Sequence, residues 1–127
     1  MHKYREIINA SQSRKDAIWL PMDSVTVNTD VVVPMLLKEA WDRDIILFSS
    51  NPVHVQRGTL FSLSPDYPGL GQELGNLIKQ KLNNPELKII APTNELRMAV
   101  NVRTAAHLGL SFSARQQQQF DMTFPSR

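Results

Sequence analysis

The sequence contains no cysteine, few aromatic residues (7%) and no long apolar run. Without cysteine the chain forms no disulfide and no thiolate metal site. Its three histidines, His2, His54 and His107, are scattered, so we expect no metal ligands. The short apolar runs predict no membrane-spanning helix, and "MHKYREIINASQ" lacks the apolar core of a signal peptide. We therefore expect no export signal in the chain as written.

Neither sign of charge dominates the sequence. Fourteen basic and 12 acidic residues are mixed along the chain and give a formal net charge of +2. Nucleic-acid binding needs a basic surface stripe, so we expect no nucleic acid as a partner. No Ser–His–Asp order, pair of catalytic acids or glycine-rich phosphate loop stands out. We therefore predict no catalytic residue, no cofactor and no enzymatic activity.

The apolar pattern predicts an α/β fold. "DAIWLP" and "IILFSS" are typical of short buried strands, and the apolar residues of "NTDVVVPMLLKEAWDRD" between them recur at helical spacing. A strand, helix and strand in this order place the strands parallel. Further predicted strands are "TLFSLS", "ELKIIAP" and "ELRMAV", and further predicted helices are "PVHVQR", residues 66–82 and "NVRTAAHLGL". We predict a three-layer, mostly parallel sheet flanked by helices over residues 1–110 and a partly ordered polar tail over residues 111–127.

Two glycines interrupt the predicted helix over residues 66–82. Gly71 and Gly75 lie four residues apart, and each costs about 1 kcal/mol relative to alanine inside a helix. Their presence predicts that another segment packs close to that helix face.

Polar side chains follow the first two predicted strands. The segment "PMDS" carries Asp23 and Ser24, and "SSNP" carries Ser49, Ser50 and Asn51. Because ligands bind beyond the carboxyl ends of parallel strands, these residues are candidates for a small-molecule site. A carboxylate beside hydroxyls and backbone N–H groups suits a zwitterion. The alternative is that Asp23 and Ser24 only form a turn and a helix cap.

Three segments together resemble a known family. They are "DAIWLPMDS", "IILFSSNPVHVQRGTLFSLSPDYPGLGQELGNLI" and "LRMAVNVRTAAHLGLSF". Over roughly residues 15 to 113 they resemble the later half of ABC-transporter substrate-binding proteins of the periplasmic-binding type I fold, in the group associated with uptake of aromatic amino acids and related small solutes. The resemblance implies the solute-binding component of an ABC importer, with an amino acid or similar small solute and a permease as partners. It also implies a periplasmic or extracytoplasmic location.

The resemblance implies roles for particular residues. Asp23 and Ser24 correspond to ligand contacts of the second lobe, and Ser49 and Ser50 lie near the cleft. Tyr67 follows a strand, where it either stacks on a ligand or packs on the next helix turn. The resemblance also implies a hinge or crossover role for four residues, Ser62, Ser64, Pro65 and Asp66.

The resemblance also implies that most of the first lobe is absent. The helix over residues 66–82 then loses its usual partner, and its exposed leucine face suggests a homo-oligomer. We expect a fragment of a longer exported protein, with a truncated reading frame as the alternative. The alternative function is the extracytoplasmic ligand-sensing domain of a signalling protein.

Overall fold

The computed structural model describes residues 2–23, 25, 27–88 and 92–125. Its five strands form one sheet in the order β1-β2-β3-β4-β5. The strands are β1 (Ala17–Leu20), β2 (Ile46–Ser49), β3 (Phe61–Pro65), β4 (Leu96–Asn101) and β5 (Met122–Phe124). The helices are α1 (His2–Ala10), α2 (Val32–Asp42), α3 (Pro52–Arg57), α4 (Tyr67–Asn83), α5 (Val102–His107) and α6 (Ala114–Gln117).

The sheet is mostly parallel, as the sequence predicts. Strands β1, β2 and β3 run parallel, β4 is antiparallel to β3, and β5 is parallel to β4. Because β1, β2 and β3 are parallel, their carboxyl ends lie at the same end of the sheet. We call this end of the strands the carboxyl edge. The fold class is therefore confirmed as an α/β sheet with flanking helices.

Helices α1 and α2 cover one face of the sheet at β1 and β2. Val33, Leu36 and Ala40 recur every three or four residues along α2, so they lie on one side of it. All three are buried, together with Leu20 of β1 and Leu47 of β2. This cluster is the main hydrophobic core.

The opposite face carries a row of aromatic rings. Trp19 is in register with Phe48, and Phe48 with Phe61. The ring centroids lie 6.5 Å apart in the first pair and 5.1 Å apart in the second, and both pairs are stacked. The continuous apolar run of β1 predicts a strand buried on both faces, but Trp19 is 57% exposed. The prediction is wrong because β1 is the edge strand of the sheet.

Helix α4 has no buried residue. Leu74, Ile78 and Leu82 are exposed by 51%, 60% and 75%, so this leucine face is open to solvent among the described residues. No described atom lies within 4 Å of a Cβ built at Gly71 or Gly75. The predicted close packing on these glycines is therefore wrong for the described residues, and self-association through α4 stays a prediction.

The C-terminal segment is more ordered than the sequence predicts. Ser113 and Gln116 form a capping box that begins α6. Strand β5 then pairs with β4, with Val100 opposite Thr123. An unpaired strand edge favours such an addition, because it presents free backbone hydrogen-bonding groups. Residues 111–125 thus contribute to the fold in place of the expected tail.

Two further expectations concern secondary structure. The predicted strand "ELKIIAP" includes residues 89–91, which lie outside the described residues. Within the described ranges no helix has the length and apolar character needed to cross a bilayer.

Candidate functional site

Strands β1 and β2 end side by side at the carboxyl edge. The carbonyl oxygen of Leu20 accepts hydrogen bonds from the Ser50 backbone N–H and from the Ser49 hydroxyl. The donor–acceptor distance is 3.2 Å in both bonds. The predicted polar clusters after the two strands are therefore brought together. Ser24, the second residue of the first cluster, lies outside the described residues.

Asp23 is half-buried at the end of the first cluster. Its Oδ1 accepts a hydrogen bond from the Val25 backbone N–H over 2.9 Å. Its own backbone N–H donates to the Pro21 carbonyl oxygen, also over 2.9 Å. This is the turn geometry that the sequence offers as the alternative role, because a carboxylate that bonds two residues ahead forms an Asx turn. The carboxylate is thereby fixed at the carboxyl edge.

The indole of Trp19 lies at the same edge. Its Nε1–H donates to the Ser50 hydroxyl oxygen over 3.1 Å, which fixes the ring beside the end of β2. More than half of the Trp19 surface is exposed. An exposed aromatic ring that is held by a hydrogen bond and backed by Phe48 offers a rigid stacking surface. The sequence predicts a buried strand at this position, so it does not predict the exposed indole.

Ser49 lies beneath this edge and makes a buried hydrogen-bond cluster. Its side chain is 2% exposed and its Oγ lies 2.7 Å from Nδ1 of His54. The Asn51 backbone N–H donates to the same oxygen over 3.0 Å. On the far side of the imidazole, Nε2 of His54 lies 3.2 Å from Oγ1 of Thr29. Ser49 therefore bonds within the protein beneath the carboxyl edge, and its place near the cleft stays a prediction.

Burial lowers the pKa of His54 below its usual value, and the nearby Arg57 guanidinium lowers it further. The residue is 3% exposed. In the neutral imidazole one nitrogen accepts and the other donates, which matches one bond to Ser49 and one to Thr29. His54 is thus a neutral connector between α3, β2 and the loop before α2. The sequence pattern does not indicate the burial of His54.

The predicted hinge residues lie where β3 leads into α4. Ser62 is fully buried and its hydroxyl has no hydrogen-bond partner among the described residues; Ser64 is 9% exposed. Pro65 is in register with Leu96 of β4. Asp66 precedes α4 and pairs with Arg97, with Oδ1 and Nε 3.1 Å apart. The backbone N–H of Asp66 also donates to the Glu95 carbonyl oxygen over 2.8 Å.

Tyr67 is the first residue of α4 and is 67% exposed. Its ring therefore faces solvent in this chain. Among the described residues no group of histidine and acidic side chains is arranged to hold a metal ion.

No protein-family model and no curated protein matches this sequence. Solved structures match it at the level of fold. They include a conserved domain protein from Vibrio cholerae O1 biovar eltor, with a TM-score of 0.60 at 18% sequence identity over 94% of this chain. The ABC domain in complex with L-Trp from Streptococcus pneumonia matches with a TM-score of 0.63 at 19% identity over 97%. A ligand-free, open substrate binding protein with adhesive properties from Clostridium difficile matches with a TM-score of 0.64 at 18% identity over 95%.

These matches confirm the predicted fold and its resemblance to the fold of substrate-binding proteins. At identities of 18% and 19% they show a shared fold. The chain spans 39% of the first neighbour and 40% of the other two.

Proposed function

We propose that this chain forms one wall of the ligand site of a solute-binding protein in an ABC-type importer. The observation that supports this proposal is that the Trp19 indole bonds to Ser50 at the end of β2 and Asp23 forms the turn that follows β1, where parallel strands end. The site binds an amino acid or a similar small solute and catalyses no reaction.

The two side chains fit the two ends of an amino acid. A carboxylate such as that of Asp23 forms a strong charge-assisted hydrogen bond with an ammonium group. The exposed indole of Trp19 stacks on an aromatic or apolar side chain. Ser50, Asn51 and, by resemblance, Ser24 and Tyr67 complete the polar surroundings. The neighbour that contains L-Trp supports an aromatic amino acid as the ligand class.

The rest of the site belongs to the part of the fold that this chain does not span. Pockets that bind small molecules tightly enclose most of the ligand, so a single wall binds weakly. The paired ends of β3 and β4 are the described connection to α4, and we assign the hinge to Ser62, Ser64, Pro65 and Asp66. Closure around the solute, delivery to a permease and an extracytoplasmic location follow from the importer role.

The first test measures whether Asp23 recognises the ammonium group. We expect L-tryptophan at millimolar concentrations to raise the melting temperature of the chain, because a ligand that binds only the native state stabilises it. Asp23→Asn should weaken L-tryptophan binding about tenfold, the loss expected for one charge-assisted bond. N-acetyl-L-tryptophan, which lacks the ammonium, should bind the chain and Asp23→Asn equally weakly.

The matched control is Asp42→Asn. Asp42 is an exposed carboxylate at the last residue of α2, and the same chemical change there should leave L-tryptophan binding unaltered. Equal affinity of the unmodified chain for L-tryptophan and its N-acetyl form would remove Asp23 as the anchor. The absence of any melting shift with a panel of amino acids would contradict the proposed function.

A further inference from the structure

One cavity of the described structure lies away from the carboxyl edge. It has a volume of about 500 Å³, within the range of small-molecule sites. The helices α2, α3 and α5 and strand β5 all contribute to it. Trp19, Asp23 and Ser50 do not line it. The cavity is therefore separate from the proposed solute site.

Positive charge surrounds this cavity. Lys38, Arg57 and Arg103 are among its lining residues, and no acidic residue is among those that the structure describes there. Arg57 is partly neutralised, because its Nη2 lies 3.0 Å from Oδ1 of Asp30. Neither Lys38 nor Arg103 has an acidic partner within the described part of the chain. Two uncompensated cations from different helices give a local field that attracts an anion.

The cavity also has an apolar wall. Leu37, Trp41 and Phe124 line it beside the cations. The Trp41 indole stacks on His107 with ring centroids 3.6 Å apart, and His107 Nε2 lies 3.1 Å from Oδ1 of Asp44. These contacts hold the indole in one orientation while 38% of the residue stays exposed. A planar apolar group can therefore stack without first ordering the ring.

Two neutral polar side chains of the cavity are already engaged in hydrogen bonds within the protein. Asn101 Nδ2 donates to the Val55 carbonyl oxygen over 2.8 Å, and Thr104 Oγ1 donates to the Gly58 carbonyl oxygen over 2.9 Å. Since both donors are engaged inside the protein, the cationic side chains and the Gln56 amide provide the remaining donors, and only the cations carry charge. The chemistry of the lining thus combines positive charge with an aromatic surface.

From this combination we infer that the cavity is a second binding site, specific for a small aromatic carboxylate. The carboxylate lies between Lys38 and Arg103, and the ring lies against Trp41. The ammonium group of Lys38 and the guanidinium group of Arg103 are the kinds of group best suited to bind a carboxylate. This inference is independent of the solute site at the carboxyl edge.

The indole N–H signals of a ¹⁵N-labelled sample test the inference directly. The chain contains two tryptophans, so the signals report on Trp41 and Trp19 separately. At neutral pH, benzoate in the millimolar range should shift the Trp41 signal in a saturable way and leave Trp19 unchanged. Benzyl alcohol, which lacks the charge, and inorganic phosphate, which lacks the ring, should each bind several-fold more weakly than benzoate.

Substitutions then identify the groups that hold the carboxylate. Because Lys38 and Arg103 are exposed, Lys38→Gln and Arg103→Gln should each weaken benzoate binding by about two- to fivefold. Lys79→Gln, the same kind of change on α4, should have no effect. The inference is overturned if benzoate leaves the Trp41 signal unmoved, if benzyl alcohol or phosphate binds as well as benzoate, or if both cavity substitutions leave the affinity unchanged.

Discussion

Replacement of His54 by alanine lowers the free energy of unfolding by about 2–4 kcal/mol. The change removes the hydrogen bonds of the imidazole to Ser49 and Thr29, and a typical intramolecular hydrogen bond contributes about 0.5–1.5 kcal/mol. It also opens a cavity at a residue that is 3% exposed, which adds to the loss. Urea unfolding of both proteins measures the difference. Gln56→Ala, on the exposed side of the same helix, should stay within about 0.5 kcal/mol of the unmodified chain.

The same residue makes stability depend on pH. Because burial, and next Arg57, lower the pKa of His54 in the folded state, the unfolded chain binds more protons here at mildly acidic pH. The free energy of unfolding therefore falls as the pH drops through the unfolded value of about 6.5 towards the folded pKa. One group contributes at most about 1.4 kcal/mol per pH unit. His54→Gln should remove this contribution, and identical pH profiles for the two proteins would contradict the neutral-connector role.

Leu36→Ala is expected to lower the free energy of unfolding by about 2–5 kcal/mol, the range for a leucine deleted from a packed core. Leu36 is 1% exposed and lies between α2 and the strands in the main core. Leu82→Ala makes the same chemical change on α4, where the residue is 75% exposed, and should stay within about 0.5 kcal/mol. Chemical unfolding at low protein concentration compares the two.

Equal losses for Leu36→Ala and Leu82→Ala would contradict this arrangement of the core, because α4 would then be packed in solution. A loss at Leu82 that grows with protein concentration would instead support self-association through α4, since burial in an oligomer depends on concentration.

The elements around the core were predictable from local pattern. Four apolar residues followed by small polar ones identified β1 and β2, and helical spacing identified α2. The parallel pairing followed from their order. The sequence could not predict which strand would be at the edge, because this depends on the pairing of all five. The apolar run of β1 therefore predicts a buried strand, whereas Trp19 is 57% exposed at the carboxyl edge.

Contacts between distant segments explain the other differences. His54 lies on a six-residue helix, too short for periodicity to show which side is buried, and its partner Thr29 is 25 residues away. Strand β5 follows a polar segment and forms because β4 has a free edge. The Asp23 turn was predicted as one alternative, since the turn bond to Val25 is local.

The position of the Trp19 indole N–H signal during addition of L-tryptophan to the ¹⁵N-labelled chain is the most direct test of the proposed solute site. We predict that this signal shifts progressively and saturates, because the ligand stacks on the indole and disturbs its bond to Ser50. The Trp41 signal lies in the separate cavity and is followed independently of the Trp19 signal. A Trp19 signal that stays fixed throughout the addition would contradict a solute site at the carboxyl edge.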